Sequence, residues 1–509
     1  MTCPEPYMKE ASALNMPPLN DRMTKPDLRK NYIFNLIYQA LLVLTPVILT
    51  PYVSRVLGAD GVGTVSFAES VVSYFVLFAT FGIATFGQRE VSYVQDDEKK
   101  RSLVFWNTKL LQVITSGTAL LLYGLLVFVI GRSGADPTLF LVYSINIFAV
   151  LFDVSWFYQG IERFDKICIR NIIFQTLSIC FVFLFVKGRG DEAKYIFGTT
   201  FFILVSNLTM WAELPKYVRR VDVSQLAPFR DIRVVASLFL PSIAIQIYTI
   251  LDRTMLGVIT RNDFENGYYS QAMLVPRGLL VIVNALGTVV APKIAYAFEK
   301  KDTNEVRELL YGVYRMVWFL AIPFWLGLTL VSDYFVPWFY GPGFEKVALL
   351  LKVAAPIIVF IGINSTTALE YLVPTKRQNV FSRALLIGAG TNFCLNLFFI
   401  YYFQSVGAAA ASVIAECVIN VVELFATRKE ISVKRIFAEG KNYFIAGGAM
   451  AAVLLLVRFL QVRAFGAVPA TVPYTALFVL IGAVTYFAVL LILKDKLVSG
   501  ASGTIRKKN

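Results

Sequence analysis

The sequence predicts an all-α, polytopic membrane protein. Fourteen transmembrane helices are expected, as two six-helix bundles related by a pseudo-two-fold axis plus two extra C-terminal helices. Three observations lead there. Of 509 residues, 57% are hydrophobic and only 16% charged, against roughly 25% charged in a soluble domain. Apolar runs of roughly 20 residues, one bilayer crossing each, follow one another along the chain. Lys and Arg gather in alternate connecting segments, the pattern of a chain crossing repeatedly with its basic loops inside.

Residues 1–29 are polar and rich in proline and lack the apolar middle and cleavage site of a signal peptide. They read as a disordered cytoplasmic tail, with Met23 an alternative start. Fourteen apolar runs follow, at 31–53, 62–86, 103–131, 137–160, 168–188, 194–215, 234–259, 267–291, 308–331, 345–372, 380–403, 406–426, 442–461 and 472–493. All read as helices, because an open strand cannot satisfy its backbone in lipid. The units expected are a bundle over 30–220, a second over 231–429, helices 13 and 14 over 437–496, and a cytoplasmic tail over 497–509. With both termini inside, about 34 of the 48 Lys and Arg fall on inner segments and about 10 on outer ones.

The two halves echo each other. Gly63, Ser66, Ala68 and Arg89 recur as Gly267, Ser270, Ala272 and Lys293 at a constant offset. Lys109 recurs as Arg315, and Arg170 as Arg383, at slightly larger offsets. Repeats of six helices run the same way across the membrane, which puts a pseudo-two-fold axis along its normal and a cavity between the bundles.

Several chemistries are excluded. The chain has no histidine, so His-based catalysis and HExxH zinc sites are absent. Its five cysteines show no CxxC spacing and read as small apolar fillers, with no metal site. No GxxxxGK[ST] loop is present, and no cofactor is expected. The net charge of +14 reads as a topology signal, and there is no nucleic-acid-binding motif. What remains is a secondary transporter driven by an ion gradient or the membrane potential.

Polar groups within the runs mark the expected cavity. Asn31, Asn35 and Gln39 share one face of helix 1, and Gln246, Thr249 and Arg253 one face of helix 7. Asn392 and Asn396 lie on helix 11. Cations at bilayer depth normally face a wet or protein-lined path; here they are Lys109, Arg253, Arg277 and Arg315. Such a cavity favours an anion, above all a phosphate, which arginine grips with a fork of donors. Glu69, Asp153, Asp252, Glu370 and Glu416 are candidates for carrying a coupling ion. Polar residues that only knit helices together are the competing reading for the neutral amides, and snorkelling or mutual pairing for Asp252 and Arg253. Pro46, Pro51, Pro241, Pro276, Pro323 and Pro356 lie in helices as candidate bending points.

Residues 31–70, opening NYIFNLIYQALLVLTP, resemble the start of the bacterial polysaccharide-unit flippases, in the multidrug/oligosaccharidyl-lipid/polysaccharide exporter superfamily. LFDVSWFYQGIERFDKICIRN (151–171) resembles their helix 4–5 signature, with Asp153, Trp156, Gly160, Glu162 and Asn171 in place. LDRTMLG (251–257) and NGYYSQA (266–272) resemble their helix 7–8 segment. The resemblance implies a protein of the bacterial inner membrane, not an enzyme, that moves undecaprenyl-diphosphate-linked oligosaccharide between leaflets for O-antigen, capsule or exopolysaccharide assembly. It implies that Arg277, and Arg55 in VSRVLG, meet the diphosphate while the lipid tail stays in the bilayer. Membrane lipids, a polysaccharide polymerase and chain-length proteins are its implied partners. Two alternatives stay open: a multidrug exporter of the same superfamily, and a membrane glycosyltransferase, polymerase or ligase. The enzyme would generally need a sizeable loop bearing acidic or His residues, and Asp96–Asp97 sit in a solvated mixed-charge run.

Overall fold

The computed structural model describes residues 28–499 other than 286, 467 and 469. The expected tails therefore lie almost wholly outside the described residues, as do the side chains of Asn31, Asn35, Gln39 and Pro241. Among the described residues every regular element is helical. The first half holds α1 (Leu28–Thr80), α2 (Ile83–Tyr93), α3 (Glu98–Arg132), α4 (Thr138–Phe152), α5 (Ser155–Gly160), α6 (Phe164–Phe185) and α7 (Glu192–Trp211). The second holds α8 (Ile232–Thr260), α9 (Asp263–Asn284), α10 (Gly287–Glu299), α11 (Thr303–Phe339), α12 (Glu345–Ala354), α13 (Ile357–Thr367) and α14 (Gln378–Thr427). A π-turn, Ala368–Leu372, extends α13. Last come α15 (Val433–Phe465) and α16 (Val472–Ile492).

Two of these helices are hairpins. At about 1.5 Å per residue, the 53 residues of α1 would reach about 80 Å, far beyond the roughly 30 Å hydrocarbon core. Gly58 breaks it with φ 77° and ψ 176°, a backbone region open mainly to glycine. Thr45 and Glu69, on opposite sides of the break, line one cavity, so the two arms lie side by side. The 50-residue α14 breaks at Gln404 (φ 54°, ψ −129°). A Cβ on Gly388 of its first arm would come within 2.3 Å of Ile419 Cγ1 on its second. Ten described stretches are long and apolar enough to cross a membrane, two of them 50 residues long. The hairpins mean that ten stretches hold more than ten crossings, and the chain is a multi-pass membrane protein.

Breaks elsewhere follow local chemistry. Pro356 divides α12 from α13, since the ring cannot donate to the preceding turn. Pro46 and Pro51 are absorbed within α1, Pro276 within α9 and Pro323 within α11. The four described cysteines carry free thiols.

Helices α1–α7 pack together, as do α8–α14, and α1 meets α8 and α9 across the join. The added pair α15–α16 packs on α11, where Trp318 Nε1 donates to Ile436 O at 2.9 Å and Tyr486 Oη to Phe319 O at 2.9 Å. The connection between the halves is tied to the first: the buried Arg101 guanidinium donates to Tyr217 O at 2.8 and 3.1 Å.

Candidate functional site

Between α1, α6, α7, α8 and α9 lies a cavity of about 470 Å³. Both arms of α1 line it, with Thr45, Thr50, Ser66 and Glu69; α6 adds Gln175, α8 adds Arg253, and α9 adds Ser270, Gln271 and Arg277. Helix α9 suits its place. Asn262 caps it by accepting from Phe264 N at 3.1 Å, and Asp263 and Glu265 in its first turn complement the helix dipole.

Two guanidiniums reach this cavity, and they differ in state. Arg253 Nη1 contacts Glu69 Oε2 at 2.7 Å, so α8 is tied to α1 and most of that charge is spent. Thr254 Oγ1 donating to Ser70 Oγ at 2.9 Å adds a second tie between the same helices. Arg277 is exposed to the cavity and has no hydrogen bond or ion pair among the described residues. A full positive charge in a partly dehydrated hollow, unmatched by protein, is the electrostatic setting in which an anion binds.

Behind α9 is a second polar cluster. Asp252, 3% exposed, accepts from Tyr269 Oη at 2.5 Å, Ser412 Oγ at 2.5 Å and Asn396 Nδ2 at 2.6 Å. Asn396 Nδ2 also donates to Asn392 Oδ1 at 3.0 Å, while Asn396 Oδ1 is buried and bare. Tyr269 sits on the helix of Arg277 and also borders the cavity. The carboxylate is thus held by neutral donors one side chain away from the cationic hollow.

The profile described as "Polysaccharide biosynthesis protein" matches residues 28–298, over half of the chain. The chain belongs to that polysaccharide biosynthesis family. It is similar to the "Putative O-antigen transporter" of Escherichia coli, 21% identical over 410 residues, covering 79% of this chain and 97% of that one. It is also similar to the "Probable flippase AglR" of Haloferax volcanii, 27% identical over 250 residues, covering 49% of this chain and 51% of that one. Among solved structures, the lipid II flippase MurJ in an inward closed conformation superposes with a TM-score of 0.68 at 18% identity, covering 92% of this chain and all of that one. An inward-facing multidrug resistance transporter of the MATE family gives 0.59 at 13% identity, covering 79% of this chain and 99% of that one. These structural likenesses fix the fold.

On this family member, several sequence-predicted residues are placed away from the cavity. Lys109 is buried in the first bundle, donating to Leu151 O at 2.5 Å and Gln112 Oε1 at 3.2 Å beneath the Trp211 ring. It neutralises the carbonyl end of α4. Its repeat partner Arg315 pairs with Glu439 on α15 at 2.5 Å and fastens the added helices. The expectation that these two cations face the cavity is corrected: Lys109 is spent within the first bundle, and Arg315 ties the second bundle to α15. Arg55 donates to Pro51 O at 2.8 Å and to Trp338 O, joining α1 to α11. Gln246 is exposed on α8 and is not among the lining residues. Of the acids, Glu69 lines the cavity, whereas Asp153 accepts from Ser155 N at 2.8 Å at the start of α5. Asp153 borders a separate hollow of about 490 Å³ in the first bundle. Glu370 and Glu416 are buried in the second bundle. Sequence reasoning missed Tyr269 and Ser412, which carry no charge to flag them, and Glu423, whose signal was its i, i+7 spacing from Glu416.

Proposed function

We propose that the chain flips undecaprenyl-diphosphate-linked oligosaccharide units across the bacterial inner membrane by alternating access, as a secondary transporter feeding O-antigen, capsule or exopolysaccharide assembly. The unpaired Arg277 in the cavity between the two halves carries the reading. The diphosphate takes up that charge and draws on Arg253 if Glu69 yields it. The sugars occupy the hydroxyl- and amide-lined remainder of the cavity, and the prenyl tail stays in lipid. Fourteen crossings with both termini cytoplasmic follow from the basic-loop bias, and bundles at 30–220 and 231–429 from the repeat. A polysaccharide polymerase and chain-length proteins are the proposed protein partners.

Asp252, Asn396 Oδ1 and the hydroxyls of Ser412 and Tyr269 form an oxygen-rich set suited to a small hard cation. We assign the coupling cation there. Its binding would reorient Tyr269 and with it the helix of Arg277. A cationic drug fits the cavity poorly, since Glu69 is already paired and the free charge is positive.

The test is equilibrium binding of undecaprenyl diphosphate to the purified protein, with undecaprenol as the uncharged control. The diphosphate should bind and undecaprenol should not. R277A should weaken binding by about 10- to 100-fold, the worth of one charge-assisted hydrogen-bonded pair. Equal binding of both lipids, or an unchanged affinity in R277A, would refute the reading.

A further inference from the structure

Away from the cavity, α13 with its π-turn lies beside the second arm of α14. Asn364, Thr367 and Glu370 stand three residues apart, and Glu416, Asn420 and Glu423 four and three apart, so each set occupies one helix face. Asn364 Nδ2 donates to Glu416 Oε2 at 3.2 Å and sets the register. Asn420 Nδ2 donates to Phe360 O and Glu416 O, both at 2.8 Å, and leaves its own Oδ1 buried and bare.

Beyond that point donors run out. Glu423 is fully buried and neither of its carboxyl oxygens has a hydrogen-bond partner. Glu370 is 5% exposed with Oε2 bare. The groups facing them are few. Tyr314 of α11 faces both, but its hydroxyl is engaged with Thr367 Oγ1 at 2.8 Å. Glu416 shares the helix face of Glu423 two turns away, and neither oxygen of Glu423 has a polar partner among the described residues. α13 contributes no ionisable group here, and Lys293 of α10 is exposed.

An ionised carboxylate cannot remain in such a place without a partner; the group neutralises instead. The contrast with Asp252 is direct, because there three donors point at the carboxylate. With no donor set against Glu423 and Glu370 Oε2 bare, the form of each carboxyl that suits the place is the neutral, protonated one. We propose that Glu370 and Glu423 are two proton-binding carboxyls, separate from the Asp252 cluster, that are loaded in this conformation and release their protons to water when the second bundle opens.

Glu370 also occupies a joint. A Cβ on Gly287, the first residue of α10, would lie 1.2 Å from Glu370 Oε1. Gly287 follows the end of α9, whose Arg277 faces the cavity. The carboxyl is seated in a π-turn, an irregularity that recurs at functional sites. Loss of its proton would place a bare charge against the joint of the substrate-facing helix and draw water to it.

Infrared difference spectra of the full-length protein in lipid nanodiscs, taken between acid and alkaline pH, test this. The wild type should lose a protonated-carboxyl carbonyl band on alkalinisation. E370Q and E423Q should each lack one component, and the double variant both; glutamine copies the size and neutrality of the protonated acid. A band unchanged in the double variant, or one abolished by sodium at fixed pH, would overturn the proposal. On unsubstituted protein, dicyclohexylcarbodiimide, which adds to protonated carboxyls in apolar surroundings, should label Glu370 or Glu423 less as pH rises. Absence of label at both would equally overturn it. Neither readout involves a lipid-linked sugar, so this proposal and the flipping reading fail separately.

Discussion

Gly63 and Gly267 each pack against a backbone carbonyl of the other's hairpin. A Cβ on Gly63 would lie 1.7 Å from Asp263 O, and one on Gly267 2.0 Å from Ala59 O. Gly63 and Gly267 are 204 positions apart, as are Ala59 and Asp263, so the contact is its own image under the pseudo-two-fold. Thr64 Oγ1 donating to Asp263 Oδ2 at 3.0 Å extends it. Backbone-to-backbone approach of this kind is how small residues hold membrane helices together, and here it joins α1 to α9 beside the cavity-lining Ser66 and Ser270.

Because no side chain fits there, G63A and G267A should each destabilise this contact between α1 and α9 by about 1–3 kcal/mol. The check is the reactivity of a cysteine placed at Ser66 toward a membrane-impermeant thiol reagent. Either variant should raise the labelling rate above that of the parent protein carrying the same cysteine.

The Arg253–Glu69 pair gives a prediction of sign. E69Q releases Arg253 to the cavity and should tighten binding of undecaprenyl diphosphate, by about tenfold, equivalent to about 1.4 kcal/mol. R253A removes a cation and should weaken it. Titration of both variants side by side checks this; shifts in the same direction would count against an anionic ligand.

Asp252 should be the sodium- or proton-sensitive element beside the cavity. D252N removes the charge from a cluster with three donors and should cost about 1–3 kcal/mol in stability. If sodium is the coupling cation, the wild-type unfolding temperature should rise in sodium chloride relative to choline chloride, and D252N should lose that difference.

Outside the membrane, Asp97 caps α3 by accepting from Lys99 N at 3.1 Å and Lys100 N at 3.0 Å. The Lys100 amide is the main reason its carboxyl titrates below the usual value of 3.8. A value depressed by folding means that the cap stabilises fully above the ordinary Asp range and fades as pH falls through the lower folded value. D97A should cost about 0.5–2 kcal/mol at neutral pH, measured by thermal unfolding, and the difference from wild type should vanish in strong acid.

The all-helical membrane fold was readable because hydropathy marks long apolar helical stretches directly. The repeat was readable at Gly63 and Gly267 because only glycine permits that contact, so both copies had to keep it. Arg277 and Arg253 could be found because a cation among apolar residues is rare. The same rule misassigned Lys109 and Arg315, since a buried cation satisfied by helix-end carbonyls or by Glu439 looks identical in one dimension. The Asp252 cluster draws its ligands from α8, α9 and both arms of α14, a convergence that no local pattern encodes. The hairpin break at Gln404 sets where those arms meet, and Gln404 carries no sequence signal for a positive φ.

The central claim is that Arg277 receives a diphosphate headgroup during its passage between leaflets. It is tested most directly in proteoliposomes holding a fluorescent undecaprenyl-diphosphate oligosaccharide, by the fraction of label that an external quencher reaches over time. Wild-type protein should expose the inner-leaflet label, R277K only slowly, and R277A no faster than empty vesicles. Flipping by R277A at the wild-type rate would contradict the account.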